Sequence, residues 1–324
     1  MSDPIRVRLT GVGGYLPREV VTNDDLARKF GIETSDEWIK TRTGIGQRHI
    51  ASDDETTSSM AAEAARQALE YADVDASQVD AVLVATATPD QVFPAVAVQV
   101  QARLGMTAGF GFDISAACSG FVYALATATA LMQSGQAKKV LVIGSEVFSR
   151  LLDWTDRSTC VLFGDGAGAV LLETGAGEGE GVLSTHLHSD GRTGDILYVD
   201  GAAGCPSTSQ HLRMQGREVF RHAVVKLSQA VDEALEVNGL TGQDIQWMVP
   251  HQANLRIIDG MAKKLALPAD RVVVTVDRHA NTSAASIPLA LNEAVRDGRV
   301  RKGDLVLMEA LGGGLTWGSA LIRM

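Results

Sequence analysis

The sequence predicts an α/β fold of two sheets, built from two similar halves. Short apolar runs bounded by turn residues alternate with helical stretches, which is the pattern of mostly parallel sheets covered by helices. The β-α-β-α-β series occurs twice along the chain. Between the two series lies Gly175–Gly181, GAGEGEG, a glycine-rich acidic stretch that reads as a linker. It divides the chain into an N-terminal half, 1–174, and a C-terminal half, 175–324.

In the first half, Ala81–Ala87 (AVLVATA) is a buried-strand run, followed by a helical stretch and a strand ending near Asp113–Ile114. A helix starts near Cys118, runs toward Ser134 and stops at Gly135. Val140–Ile143 is another strand, and Val161–Leu172 (VLFGDGAGAVLL) reads as a hairpin around a glycine turn. In the second half, Ile245–Val249 is a strand, Ala253–Leu265 a helix and Val272–Val276 (VVVTV) a strand, with a helix beginning near Ser283. Leu305–Leu307 and Leu315–Met324 close the chain as strands.

Composition narrows the function classes. Hydrophobic residues make up 45% and charged residues 21%, enough to build an ordinary globular core. The 33 glycines and 5% aromatics point to small residues where helices pack closely on sheets. With a formal net charge of -10, the surface argues against a general nucleic-acid role. The three cysteines, Cys118, Cys160 and Cys205, form no CxxC pair, which fits a reducing compartment and offers no zinc motif. Met1–Thr10 lacks a signal pattern and no apolar run approaches the ~20 residues of a membrane helix, so a soluble, cytoplasmic protein is expected.

Four windows carry chemistry. In Asp113–Phe121, DISAACSGF, Cys118 sits between small residues at a helix start. The free N–H groups and partial positive charge there favour the nucleophilic thiolate. An inert core cysteine is the competing interpretation. In Val249–Arg256, VPHQANLR, His251 lies just past a strand, where α/β sheets bind ligands and an imidazole can exchange a proton. A helix-capping histidine is the alternative. In Asp277–Ser286, DRHANTSAAS, Asn281 again lies between a strand and a helix. Its carboxamide can donate to a developing oxyanion, or simply cap the helix. In Glu309–Gly318, EALGGGLTWG, the run Gly312–Gly314 lets backbone N–H groups approach a ligand oxygen. It lacks the ending of a phosphate-binding loop, and Gly11–Gly14 leads into no helix, so neither is a nucleotide fingerprint. A nucleophile in one half and two polar groups in the other would meet at the interface of a two-fold repeat. Cys118 is too far along the chain, and in the wrong context, for a papain-like protease.

Taken together with ETSDEWIKTRTGI (Glu33–Ile45), these windows resemble β-ketoacyl-acyl carrier protein synthase III from end to end. The resemblance implies a thiolase-like fold of five layers, αβαβα, as a homodimer without a cofactor or metal. It implies an initiating fatty-acid condensing enzyme in which Cys118 takes an acyl group from acyl-coenzyme A, with acetyl the expected primer. Malonyl-acyl carrier protein then loses carbon dioxide, and His251 and Asn281 stabilise the enolate. The N–H groups of Cys118 and Gly313 match the oxyanion hole. Trp38, Arg42, Arg157 and Asn254 match coenzyme A contacts, and stacking and forked hydrogen bonding suit an adenine and phosphates. Phe93 and Leu311 match the acyl pocket, with Phe93 reaching into the partner's. Gln252, Ala253, Asn254, Leu255, Arg256, Arg221, Lys263 and Lys264 match the carrier-protein surface. Arg256 and Lys263 are seven apart, about two helical turns, and share a face; Arg217 and Arg221 share one on another helix. Leu255, Ile258 and Leu265 would be buried beneath them.

Three departures stand out: Leu311 where Phe is common, Gly46 where a basic residue is common, and Ala280 in place of Gly. The first bears on primer size and the other two read as minor. His186 and His188 share a strand face without an accompanying carboxylate or cysteine and read as structural; Cys160 and Cys205 read as bystanders. The glycine-rich C-terminal loop lacks the second cysteine of a reversible thiolase. A related ketosynthase or acyltransferase of secondary metabolism, or a non-catalytic subunit that binds the acyl carrier, are the rival functions.

Overall fold

The computed structural model describes residues 5–175, 179–201, 203–204 and 209–324. Cys205 and part of Gly175–Gly181 lie outside the described residues. The chain runs β1 (Arg6–Tyr15), β2 (Glu19–Thr22), α1 (Asn23–Phe30), α2 (Asp36–Thr43), β3 (Gln47–Ile50) and α3 (Thr57–Ala72). Then come β4 (Ala81–Ala85), α4 (Val96–Arg103), β5 (Phe110–Ile114), α5 (Gly120–Gln133), β6 (Lys139–Glu146) and β7 (Gly166–Gly175). The remainder is β8 (Gly181–Ser189), β9 (Leu197–Val199), β10 (Leu212–Met214), α6 (Gly216–Val237), β11 (Trp247–Pro250) and α7 (Leu255–Lys264). It closes with α8 (Val276–His279), α9 (Ser286–Arg296), β12 (Leu305–Gly312) and β13 (Thr316–Arg323).

Two sheets organise these elements. The first has the order β1-β7-β6-β4-β5 and the second β11-β12-β13-β8. In the first, β4 runs parallel to β5 and β6, while β7 is antiparallel to β6 and β1. In the second, β11 is parallel to β12, and β13 is antiparallel to β12 and β8. Helices α5 and α9 lie between the sheets; α3 and α4 cover the outside of the first, and α6, with α7 against it, covers the second. The layers are therefore αβαβα. The all-apolar sequence of β4, buried at every position, is what a strand covered on both faces requires.

Packing between layers explains much of the glycine. Gly13, in the GVGG run, lies in β1, where an added Cβ would sit 2.0 Å from the Ala64 carbonyl oxygen of α3. The alanine stripe of α3 thus approaches β1 backbone to backbone. The run serves helix packing and holds no nucleotide.

Two predicted elements differ. Val161–Leu172 is no hairpin: Val161–Phe163 is a turn with one bridge from Phe163 to Asn281, and β7 pairs instead with β1 and β6. The predicted strand Val272–Val276 shrinks to a single parallel bridge between Val272 and Met248. The Gln252 side chain takes over the missing ladder. Its Nε2 donates to Pro250 and Val273 carbonyls at 2.8 and 3.0 Å, and its Oε1 accepts the Thr275 and Val276 N–H groups at 2.8 and 3.0 Å. Those last two bonds turn the chain into α8.

The two histidines of β8 also need correction. A carboxylate does accompany them: Glu233 of α6 has one oxygen 3.1 Å from His186 Nδ1 and the other 2.6 Å from His188 Nε2. Both oxygens are occupied by these hydrogen bonds, and among the described residues no group of three or more ligands is disposed to hold a metal. Cys160 is buried, which pushes its thiol up to about 11. Among the described residues no helix is long and apolar enough to cross a membrane.

Ala280, read from the sequence as a minor departure, adopts φ 59° and ψ -159°. That conformation is almost reserved for glycine and costs about 1–3 kcal/mol in a residue with a Cβ. Ala280→Gly should therefore raise the urea midpoint, corresponding to a gain of about 1 kcal/mol in unfolding free energy after the entropy of the added glycine is subtracted. An unchanged midpoint would show that the neighbouring structure relieves the strain.

Glu309 in β12 is 1% exposed, its Oε2 finds no partner among the described residues, and burial pushes its carboxyl up to about 8. An unfolded glutamate ionises near its ordinary value of 4.5. Between those values the folded chain keeps a proton that the unfolded chain releases, so stability falls as pH rises from about 5 to 8. Glu309→Gln should flatten that slope by a few kcal/mol, on the order of 1.4 kcal/mol per pH unit, in denaturation at pH 5 and pH 8. A variant slope equal to the parent's would assign the pH dependence elsewhere.

Candidate active site

The windows singled out in the sequence converge on one cavity. A cavity of about 690 Å³ is lined by Cys118, His251 and Asn281 at its inner end. Trp38, Arg42, Asn254 and Arg256 also line it. Each of the three inner residues is 6% exposed, which puts them at the bottom of a tunnel. A second cavity of about 460 Å³ also touches Cys118, lined by Ala87, Phe148, Leu197, Leu212 and Gly313 among others. Leu311, expected in an acyl pocket, lines the first cavity and not the second.

Cys118 sits in a 3₁₀ turn, Ala117–Ser119, that leads into α5. Ala117 before it takes φ 45°. The expectation of a ready thiolate is not met: burial pushes the thiol up to about 12, outweighing the Ser283 hydroxyl and the residue's own N–H, which pull it down. Burial therefore favours the thiol over the thiolate at the resting sulfur. The glycine run explains itself here. A Cβ on Gly312 would lie 2.6 Å from the Cys118 nitrogen, so only glycine lets β12 end against the nucleophile's backbone.

His251 follows β11, and its N–H donates to the Glu309 carbonyl at 2.9 Å. Its Nδ1 lies 2.6 Å from Ser286 Oγ. That oxygen also accepts the Gln252 N–H at 3.3 Å. In the tautomer in which the Ser286 hydroxyl donates to Nδ1, Nε2 carries the ring proton. Burial holds the imidazole down to about 3, so it is neutral across the physiological range. It is a neutral donor. Asn281 Oδ1 accepts the Ser283 N–H at 2.9 Å, which fixes the carboxamide with its NH₂ group as the remaining donor.

The outer cavity is cationic and aromatic. The Arg42 and Arg157 guanidinium carbons lie 4.4 and 4.6 Å from the Trp38 ring centroid. Arg157 also donates to the Glu33 carbonyl at 2.7 Å. Asn254 caps α7 through its Oδ1 and donates to the Arg42 carbonyl at 3.2 Å. Arg256 donates to the Thr41 carbonyl at 2.9 Å.

The remaining expected residues are scattered. Gln252 is completely buried and spends its carboxamide on backbone, so it cannot touch a carrier protein. Ala253 lines the first cavity and Leu255 is half-buried. Arg256, Lys263 and Lys264 are exposed on α7, over buried Ile258 and Leu265. Lys264 pairs with Asp232 at 2.8 Å, and Arg221 with Glu218 on α6. Phe93 is 82% exposed beside exposed Val92, and lines neither cavity.

Sequence reasoning missed Glu146, Ser283, Ser286 and the orienting role of Gln252. Both serines lie in the NTSAAS window and Gln252 adjoins His251, so the signal was adjacency alone. Glu146 offered one: a lone acid ending the apolar run VLVIGSE.

Comparison with known proteins agrees with this geometry. The family model for 3-oxoacyl-[acyl-carrier-protein (ACP)] synthase III matches residues 112–191, and that for its C-terminal part matches 235–324. The β-ketoacyl-[acyl-carrier-protein] synthase III of Acidiphilium cryptum is 67% identical over 319 residues, covering 98% of this chain and 99% of that one. The 3-oxoacyl-[acyl-carrier-protein] synthase III structure from Aquifex aeolicus is 47% identical, with a TM-score of 0.93 over 98% of this chain and 100% of that one. The priming β-ketosynthase of the R1128 polyketide pathway is 40% identical, with a TM-score of 0.92 over 100% of this chain and 98% of that one. With its thiolase-like layers and a cysteine, a histidine and an asparagine at the base of one tunnel, the chain belongs to the β-ketoacyl-acyl carrier protein synthase III family of initiating condensing enzymes.

Proposed function

We propose that Cys118 is loaded by an acyl-coenzyme A primer and that His251 and Asn281 then hold the enolate formed from malonyl-acyl carrier protein. The observation that carries this reading is that all three groups line the inner end of one cavity. In the first half-reaction Cys118 Sγ attacks the thioester carbon, and the tetrahedral oxygen accepts the N–H groups of Cys118 and Gly313. Cys118 gives up its thiol proton as the S–C bond forms, and coenzyme A departs as a thiolate that takes a proton from solvent. In the second, malonyl-carrier releases carbon dioxide and the electron pair moves into an enolate. The neutral Nε2–H of His251 and the Asn281 carboxamide donate to the enolate oxygen. The enolate carbon attacks acyl-Cys118, giving 3-oxoacyl-carrier and free Cys118. No cofactor is required, since acyl-coenzyme A is consumed as a substrate.

The rest of the cavity supports this assignment. Trp38, Arg42 and Arg157 form a cation–π cluster at its mouth, worth about 0.5–1 kcal/mol per exposed pair. An adenine ring would replace one guanidinium as the stacking partner and free it for phosphate. The second cavity, which also touches Cys118, suits the primer's alkyl chain. The exposed Val92 and Phe93 are apolar surface that a homodimer would cover. The 40% identical priming ketosynthase supports a second reading, in which the same chemistry starts a polyketide. Turnover with the organism's fatty-acid carrier and with a polyketide carrier separates the two.

Cys118→Ala should abolish acyl loading, measured as added mass on the intact protein. His251→Ala and Asn281→Ala should still load, yet release carbon dioxide from malonyl-carrier about 10²–10³-fold more slowly. Wild-type condensation by the Asn281 variant would remove Asn281 from the mechanism.

The exposed Arg256 and Lys263 of α7, with Arg217 at the cavity's edge and Arg221 beyond it on α6, form the cationic surface around the tunnel. On an otherwise acidic chain they suit an acidic carrier protein, and such charges act mainly on association rate. Arg256→Glu with Lys263→Glu should raise KM for malonyl-carrier about tenfold or more at low salt and much less at high salt. An equal loss in primer loading would mean the substitutions had damaged the tunnel.

A further inference from the structure

Behind the nucleophile lies a carboxyl group that the condensation reaction, as described, does not use. Glu146 is the last residue of β6 and is completely buried. Its Oε2 accepts the Thr88 hydroxyl at 2.6 Å and the Thr86 hydroxyl at 3.3 Å, and the Ala87 N–H lies 3.1–3.2 Å from both oxygens. Its Oε1 accepts the Ser283 hydroxyl at 3.0 Å. Ser283 begins the turn Ser283–Ala285, which packs against the Cys118 turn, and its hydroxyl pulls the thiol down toward ionisation. Ser283 adopts φ 50°, and its N–H holds Asn281 Oδ1, so the backbone strain that places this hydroxyl also orients the carboxamide. Ala87, whose N–H faces Glu146, lines the second cavity next to Cys118.

A fully buried carboxyl that only needed to tie the end of β6 to the segment after β4 and to the Ser283 turn could be an amide. An ionisable one costs several kcal/mol to bury charged. Its position one hydroxyl away from a sulfur that must give up a proton is the reason to keep it ionisable. We propose that Glu146 is the proton-holding residue for Cys118: through the Ser283 hydroxyl it takes the thiol proton during acyl loading and returns it when the product is released.

The step balances. As the Cys118 S–C bond forms, the S–H proton passes to Ser283 Oγ, and the Ser283 hydroxyl proton passes to Glu146 Oε1. Coenzyme A departs as a thiolate toward the tunnel and takes one proton from solvent. In condensation the enolate carbon attacks, and collapse of the adduct expels Cys118 as a thiolate. Glu146 then gives its proton back along the same path. One proton is taken from solvent per turnover, matching the one consumed when malonyl carboxylate leaves as carbon dioxide. Burial supports the arrangement by pushing Glu146 up to about 7, so the group is poised to hold or release a proton near neutrality. Cys118 is the titratable group whose ionisation Glu146 opposes; the Thr86, Thr88 and Ser283 hydroxyls and the Ala87 N–H are its neutral neighbours. Glu146 acts through Ser283 and touches no substrate, so its role is positioning of a proton.

The inference rests on Cys118 being the loaded nucleophile. The test is the single-turnover rate of acyl loading from acetyl-coenzyme A, read as added mass on the intact protein, from pH 5.5 to 9. In the parent enzyme the rate should rise with pH through about 7, because only the Glu146 carboxylate can accept the proton. In Glu146→Gln the rise near 7 should vanish and the rate at pH 7.5 should fall about 10²-fold. Glu146→Asp, which keeps a carboxylate, should restore a rise in the neutral range. Ser283→Ala breaks the path while leaving the backbone N–H for Asn281, and should match Glu146→Gln. A parental pH profile in a folded Glu146→Gln overturns the proposal; if that variant does not fold, a parental profile in Ser283→Ala does so. A parent enzyme that gains no acyl mass overturns both this inference and the loading of Cys118 on which it rests.

Discussion

The contact on which the rest of the site depends is between two backbones. The end of β12 lies so close to the turn before α5 that a Cβ on Gly312 would fall 2.6 Å from Cys118 N and 2.9 Å from Ala116 O. Side chains tie the same junction: Ser119 Oγ is 2.8 Å from Thr316 Oγ1, whose hydroxyl also donates to the Ala116 carbonyl at 3.0 Å. Gly312 and Thr316 belong to strands of the second sheet, and Ala116, Cys118 and Ser119 to the turn that follows β5 of the first. Their meeting sets the distance between a nucleophile carried by one half of the chain and the His251 and Asn281 loops carried by the other. It also brings Gly313 into the wall of the second cavity, which Cys118 lines too.

That closeness is reached at the expense of backbone comfort. Ala117, Ala280 and Ser283 all take positive φ, and each flanks a member of the catalytic set. Strain of this kind persists only where surrounding structure over-determines it. Here the determinants are visible: Ala280 N donates to Val276, Asn281 N to Leu162, and Ala285 N to Thr282, pinning the segment on both sides of the strained residues. Gln252 plays the same part for His251, replacing a strand's ladder with four side-chain bonds. The loops of the site are thus rigid because polar side chains substitute for regular structure.

This division explains what could be read from the sequence. The β-α-β series, the helix from Cys118 to Ser134 and the strand after the triple glycine were legible because burial on both faces leaves apolar runs that periodicity detects. The Cys118 and His251 windows were legible because each follows a strand, β5 and β11, and leads into a helix, whereas Asn281 follows the short helix α8 and was found by its residue type in a turn before α9. Val272–Val276 misled because its apolar run is buried without being a strand; the carboxamide that replaces its partner lies twenty or more residues earlier in the chain. The conformation of Ala280, the burial of Gln252 and the meeting of His186 and His188 with Glu233 depend on tertiary placement, which local pattern does not encode. Glu146 was hidden for the same reason, since an acid at a strand end becomes notable only when Ser283 and Cys118 arrive beside it.

Electrostatics gives the site its common character. Burial moves Cys118 up, His251 down, and Glu146 and Glu309 up. Every one of these shifts favours the uncharged form, so the resting site carries little formal charge in a low-dielectric space. On the proposed mechanism that neutrality is useful twice. A malonyl carboxylate entering such a site loses its hydration with no cation to replace it, which favours departure of the charge as neutral carbon dioxide. The enolate left behind then meets two neutral donors. A protonated imidazole would stabilise it more strongly but would also protonate it, ending the reaction at an acyl thioester with no new carbon–carbon bond. A neutral Nε2–H and a carboxamide hold the oxygen without quenching the carbon, and the low basicity that burial imposes on His251 is what keeps the nucleophile alive long enough to attack.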